Sequence, residues 1–315
     1  MPKTVIVENR IIRMAVQAAA NTPAALVASS VLQIDSFNPD IGQADSNILQ
    51  FGGKFNRSTR YTNLRSGFSG VVPYMFSGTP GVAGATAVAF RACGFNQDDQ
   101  ADKVVYRVAA PADQDLVTAD MLDDISDTEA YVAQIANGRG VLGIDWTAGD
   151  SFKFPITFLG DYERPEVTTV VEPDWGDQQT NIGDPFVPVN IENKALQLDG
   201  QMLCLVSARS SNIAGFSTSR IQTTCPSTTE LANADAQIEL VYQMPDLTNE
   251  FNPWELYDNA RPVPFKCTAG SEAGKKMGLE IALLQAQKPV ENIIDGVLFI
   301  TQVFDILAEP IFTES

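Results

Sequence analysis

Apolar and polar positions alternate along much of this chain. In the segment DSFKFPITFL, Phe152, Phe154, Ile156 and Phe158 fall on one side of an extended backbone, and Lys153, Pro155 and Thr157 fall on the other, as expected for the two-residue period of a strand. Just before it, Leu142, Ile144 and Trp146 alternate with Val141, Gly143 and Asp145, and the short TAGD connection predicts a hairpin whose two strands pair antiparallel. The pattern returns further on. Ile238, Leu240, Tyr242 and Met244 alternate with Gln237, Glu239, Val241 and Gln243, while Leu279, Ile281 and Leu283 alternate with Glu280 and Ala282. Sheets built from such strands have one apolar and one polar face, and the apolar face needs a cover.

Two short helices can supply it. After the turn signal SGTPG, the run ATAVAFRAC is rich in helix formers and stops at Gly94, a natural C′ residue. Later, Asn252 is placed to cap a helix with Pro253 at its first position, and Trp254, Leu256 and Tyr257 add apolar bulk. One helix covers one face of each sheet and leaves the edge strands open. Open edges are a liability in a monomer and an assembly surface in a ring.

The order of these elements occurs twice. RSTRYTNLRSGFSGVVPYMF, AVAFRACG, KVVYRVA, GRGVLGIDWTAG and DSFKFPITFLGDYE occupy residues 57–163. From residue 233 the order returns as NADAQIELVYQMP, NPWELYDNA, VPFKCTAG, KKMGLEIALLQAQ and DGVLFITQVFDILAE. The expected fold is mainly β with short helices, in two tandem units, each a β-sheet or β-sandwich flanked by a helix. Residues 1–170 form the first unit and 171–315 the second, joined by the Pro-, Asp- and Gly-rich linker VEPDWGDQQTNIGDPFVPVN at 171–190. A unit repeated within one chain suggests a ring or array as the working object.

Composition narrows the chemistry. The 315 residues are 44% hydrophobic, enough for two cores of ordinary size. A net charge of −18 argues against affinity for nucleic acid or anionic membranes. Histidine is absent, which removes histidine general bases, Ser-His-Asp and Cys-His arrangements and imidazole metal sites. No P-loop, no GxGxxG following a strand and no EF-hand spacing is found, so no enzyme, cofactor or metal is expected. Cys93, Cys204, Cys225 and Cys267 are widely spaced and read as small buried apolar residues in a reducing compartment. The N-terminal IIRMAVQAAANTPAALVASSVL is too interrupted for a signal peptide, and no run reaches the length of a membrane span.

The motifs AFRACGF at 89–95 and GRGVLGIDWTAGDSFKFPITFLGDYERP at 138–165 carry a family likeness. With them the chain, from about residue 5 to residue 310, resembles the tail tube (major tail) proteins of siphovirus-type bacteriophages, whose long tails are non-contractile. The resemblance implies a structural virion protein that stacks as rings, made in the host cytoplasm and used in the virion tail. It implies inner sheet faces joined into a ring-spanning β-barrel. A tape measure protein would fill the bore, tail tip or baseplate and terminator proteins would bind the ends, and DNA would pass through without specific binding or any membrane step. Six units per ring and two units per chain imply trimeric, pseudo-sixfold rings. The alternative is a hexameric ring with one half of each chain on the outside. Asp145, Gln237, Glu239, Gln243 and Glu280, on polar strand faces, would line the lumen.

Several segments carry further expectations. Residues 1–30 and 35–54 would act as arms that order on assembly, and 194–230 as the matching arm and loop or as part of the second core. The acidic stretch QDDQADKVVYRVAAPADQDLVTADMLDDISDTEA is longer than the family requires and reads as a solvated loop with a short helix around MLDDI. A different class, an exterior β-domain that binds carbohydrate or decorates the capsid, would need an exposed aromatic platform. Trp146 and Trp254 fall on expected buried faces, leaving only Trp175.

Overall fold

The structure is a computed structural model that describes residues 6–50, 57–176, 196–219, 229–247, 251–270 and 272–315. The first half of the chain runs β1 (Ile6–Val16), β2 (Val31–Leu32), β3 (Asp35–Gln50), β4 (Arg57–Pro73), α1 (Ala87–Ala92), β5 (Phe95–Asp99), β6 (Val104–Val108), β7 (Val117–Asp124), β8 (Glu129–Leu142), β9 (Ile144–Thr147), β10 (Lys153–Tyr162) and β11 (Glu166–Thr169). The second runs β12 (Leu196–Leu198), β13 (Gln201–Met202), β14 (Leu205–Ser210), β15 (Phe216–Ser219), β16 (Glu230–Asn233), β17 (Gln237–Gln243), α2 (Pro253–Asp258), β18 (Val263–Ala269), β19 (Met277–Ala286), β20 (Val290–Ile294), β21 (Val297–Ile306) and β22 (Ile311–Glu314). Every ladder among these strands is antiparallel.

The two halves share one pairing scheme. In the first, neighbours run β3, β4, β10, β8, β7, β1; in the second they run β14, β17, β21, β19, β18, β12. The match continues past β10 and β21, since β11 folds back on the start of β8 as β22 does on the start of β19. Both β3 and β14 are bulged against their inner neighbour. Each helix follows the matching strand and packs on the matching neighbour, α1 against β8 and α2 against β19. Two hairpins break the symmetry: β5–β6 is inserted after α1 and β15–β16 after β14.

Local chemistry explains both helices. The Asn252 side chain accepts hydrogen bonds from the N–H groups of Trp254 and Glu255, and Pro253 sits at the first position, where its missing donor costs nothing. α1 ends at Cys93, and Gly94 takes φ +83°, the left-handed conformation glycine adopts without strain.

The two halves are not separate bodies. β9 pairs with β14, and β22 pairs with β6. One buried cluster includes Phe90, Trp146, Phe152, Phe154 and Phe158 from the first half and Tyr242, Phe265, Ile300, Phe304 and Phe312 from the second. The predicted buried sets Leu142, Ile144, Trp146 and Phe152, Phe154, Ile156, Phe158 are all at 2% exposure or less, and the two strands pair as expected, with Ile156 opposite Leu142 and Lys153 opposite Asp145.

Several expectations are corrected. The ring-spanning β-barrel is not found: among the described residues no sheet is closed or strongly curled, and they form an antiparallel sheet and sandwich assembly with two short helices. A barrel needs a ladder between its outermost strands. Among the described residues, β3 pairs only with β4, and β2 only with β1, and the chain passes from β2 to β3 through the Gln33–Ile34 corner without a ladder. The helix around MLDDI is instead strand β7, because Val117, Ala119 and Met121 alternate toward the core between β1 and β8. Leu283 is exposed and Leu284 is buried, since a bulge on β19, where Ala282 and Leu283 lie opposite the single residue Pro264 of β18, shifts the period by one. Cys93 and Cys267 are buried, Cys204 is exposed, and Cys225 lies outside the described residues. Residues 6–16 and 35–50 are long paired strands, and within 196–219 β12 and β14 pair with β18 and β17 of the second half. The linker falls outside the described residues from 177 to 190.

Candidate interaction surface

Facing away from the core, β9, β14, β17 and β21 present one surface that is mostly polar, with Val241 and Val303 among its members. Alternation puts Ile238, Leu240 and Tyr242 inward, so Gln237, Glu239, Val241 and Gln243 point outward. The ladders then align Asp145 on β9 with Arg209 on β14, Arg209 with Glu239 on β17, and Glu239 with Val303 on β21. Four of the five expected residues, Asp145, Gln237, Glu239 and Gln243, therefore share one patch. Glu280 lies elsewhere, on β19 between Lys266 of β18 and Ile311 of β22.

The carboxylates of this face are largely partnered. Arg209 Nε donates to Asp145 Oδ1 at 3.0 Å; away from this face, Lys266 Nζ forms a short ion pair with Glu280. Gln237 Nε2 and Gln287 Nε2 donate to Asp305 Oδ1 at 2.8 and 2.9 Å. At the rim Lys153 Nζ meets Asp150 Oδ2 at 2.6 Å. That bond, with the Ser151 N–H, holds the Asp150 carboxyl below its ordinary value and pushes the lysine up. Such exposed pairs add little stability, about 0–1 kcal/mol each. Their consequence is for binding. A cation already engaged by a carboxylate offers less to a phosphate, so the wall is a mosaic of engaged charges, amides and hydroxyls, where composition alone suggests a plain acidic surface.

Sequence reasoning missed Arg209 and Asp305, which complete the mosaic, and Lys266, which partners Glu280 away from it. Arg209 and Asp305 were visible as polar members of the alternating runs LVSARS and VLFITQVFDI, but their pairing depends on the β14·β17·β21 register, which no local pattern states. No group of His, Cys, Asp and Glu able to hold a metal occurs among the described residues, and no described helix is long and apolar enough to cross a membrane. Trp146 is fully buried, and Trp254 packs against the core.

No protein-family model matches the chain, and no curated protein matches it.

Proposed function

We propose that this chain is a structural virion protein that polymerises as stacked rings into the tail tube of a long-tailed, non-contractile phage, through which the genome passes into the host. The observation that carries the reading is the duplicated unit: the same seven-strand pairing scheme, with one helix covering each copy, occurs twice in a single chain. The family likeness in AFRACGF and in the β8–β10 region points the same way. Two units per chain and six per ring make the ring a trimer with pseudo-sixfold symmetry. The mosaic face containing Asp145, Gln237, Glu239 and Gln243 would then meet the bore. With its cations engaged it gives DNA little purchase, which suits a conduit better than a binding site. A tape measure protein would occupy the bore before ejection, and tip and terminator proteins would cap the ends.

Negative-stain electron microscopy of the concentrated protein, with end-on views counted for symmetry, tests this. Hollow tubes with three copies per ring are expected. Six copies per ring would keep the conduit and make one half peripheral. Protein that never forms tubes, even when seeded with tail tips, would sink the reading.

A further inference from the structure

Within the chain, the halves are joined by a strand pair that the duplication leaves unanswered at its other end. β9 of the first half pairs with β14 of the second, from Ile144 opposite Ser210 to Thr147 opposite Ser207. In the matched pairing scheme β9, between β8 and β10, corresponds to β20, between β19 and β21; β14, outermost beside β17, corresponds to β3, outermost beside β4. Repeating the internal joint therefore requires β20 to meet β3. Inside one chain this does not happen: among the described residues β20 pairs only with β21, and β3 only with β4.

The surface of β20 is that of an unfinished joint. In β9, Ile144 and Trp146 are buried at 1% and 0% exposure. In the β20 hairpin, Val290, Ile293, Ile294 and Val297 stand 54%, 76%, 43% and 42% exposed. Every residue of β20 is open to solvent. An apolar, unpaired edge of this kind is what soluble monomers avoid and assembling subunits retain. On the other side, Asp35, Ser36, Asn38 and Asp40 of β3 are also exposed, so the edge is reachable from outside.

We propose that β20 of one copy pairs antiparallel with residues 35–40 of β3 in a second copy, repeating between chains the β9·β14 joint that each chain makes within itself. The two edges lie on different patches, so the contact is head-to-tail and propagates from copy to copy instead of closing a twofold dimer. This deepens the tail tube reading, on which the choice of a second copy as occupant rests.

The joint is tested by mixed-chain disulfide trapping. Chains carrying Ile293→Cys are mixed with differently tagged chains carrying Asn38→Cys or Asp35→Cys, all with Cys204→Ser and Cys225→Ser, then oxidised and resolved without reductant. A disulfide between the two different chains is expected for at least one β3 position. Its yield should exceed by at least tenfold that of a control pairing Ile293→Cys with Thr169→Cys on β11. A yield no greater than the control overturns the joint. Electron microscopy of the unsubstituted protein separates the two ideas: tubes without this cross-link reject the joint and keep the conduit, while cross-linked rings that never stack keep the joint and reject the tube.

Discussion

Tyr74, just past the end of β4, donates its hydroxyl to the Glu314 carboxylate on β22 at 2.7 Å, across 240 residues of chain. The same carboxylate accepts from the Gly84 N–H at 3.1 Å, the Ser77 N–H at 3.3 Å and the Tyr106 hydroxyl at 3.3 Å. A single buried acid thus ties the end of the second half to the α1 approach of the first.

Burial raises the Glu314 pKa above its ordinary 4.5, against the pull of its four donors. A carboxyl that holds its proton more tightly when folded contributes stability that is present below its unfolded pKa and lost as pH rises through the folded value. Stability should therefore decline with pH from about 4.5 upward for this group, and Glu314→Gln should flatten that part of the profile. Urea unfolding at a series of pH values checks this; an unchanged slope in the variant would assign the pH dependence elsewhere. Glu314→Ala, which strands several buried donors, should cost about 2–3 kcal/mol.

Arg13 on β1 and Asp120 on β7 form a buried ion pair, with Nε–Oδ1 at 3.0 Å and Nη2–Oδ2 at 2.5 Å. The arginine also donates to the Leu26 carbonyl at 3.3 Å. Burial pushes the Asp120 pKa up, and the Arg13 hydrogen bonds and charge pull against it. Removing one partner leaves a buried charge alone, so Asp120→Ala should cost about 3–5 kcal/mol, while Arg13→Met with Asp120→Leu should recover most of that loss. Chemical denaturation of the unsubstituted protein and the two variants decides it. If the double variant is as unstable as Asp120→Ala, the pair is needed for more than mutual neutralisation.

Local pattern reached some features of this molecule and stopped at others for identifiable reasons. The inward sets around Trp146 and Phe154, the Asn252 cap and the Gly94 stop depend on neighbours within a few residues, and all were readable. The acidic residues of MLDDI suggest solvent, whereas Asp123 within it is buried and Asp120, just before it, is buried against Arg13, a partner 107 residues away. Leu283 misled because a bulge is a property of two strands. The duplicated order of elements was visible, but the β9·β14 and β6·β22 pairings that merge the halves were not, since edges become visible only once both sheets exist. Of the polar face, the outward positions were legible and the cations that occupy them were not.

Gly138 on β8 faces the Phe158 ring so closely that a Cβ there would lie 2.2 Å from Cζ and 2.5 Å from Cε1. Phe158 is 1% exposed and stacks on Phe68 with ring centroids 5.2 Å apart, so the ring has nowhere to go. Gly138→Ala should destabilise by about 1–3 kcal/mol through overpacking. Adding Phe158→Leu should make the combined loss smaller than the sum of the single losses, since the smaller side chain vacates the space. Thermal unfolding of the four-member cycle measures this, and strict additivity would mean that the two positions relax independently.

Phe312, on the last strand, packs against first-half rings, with centroids 5.1 Å from Phe90, 5.6 Å from Phe95, 5.9 Å from Phe154 and 6.2 Å from Trp146. Because β22 also pairs with β6 of the first half, neither half can open without exposing the core of the other. The duplicated chain should therefore unfold in one calorimetric transition despite its two sheets, and Phe312→Ala should shift that single transition down by about 3–5 kcal/mol. Residues 1–170 alone would leave the outer edge of β9 and the Phe90–Trp146 cluster uncovered, and should lack a cooperative transition. Two separate transitions in the full chain, or a stable isolated first half, would mean that the halves are independent domains and that the β6·β22 and β9·β14 joints are late, weak contacts.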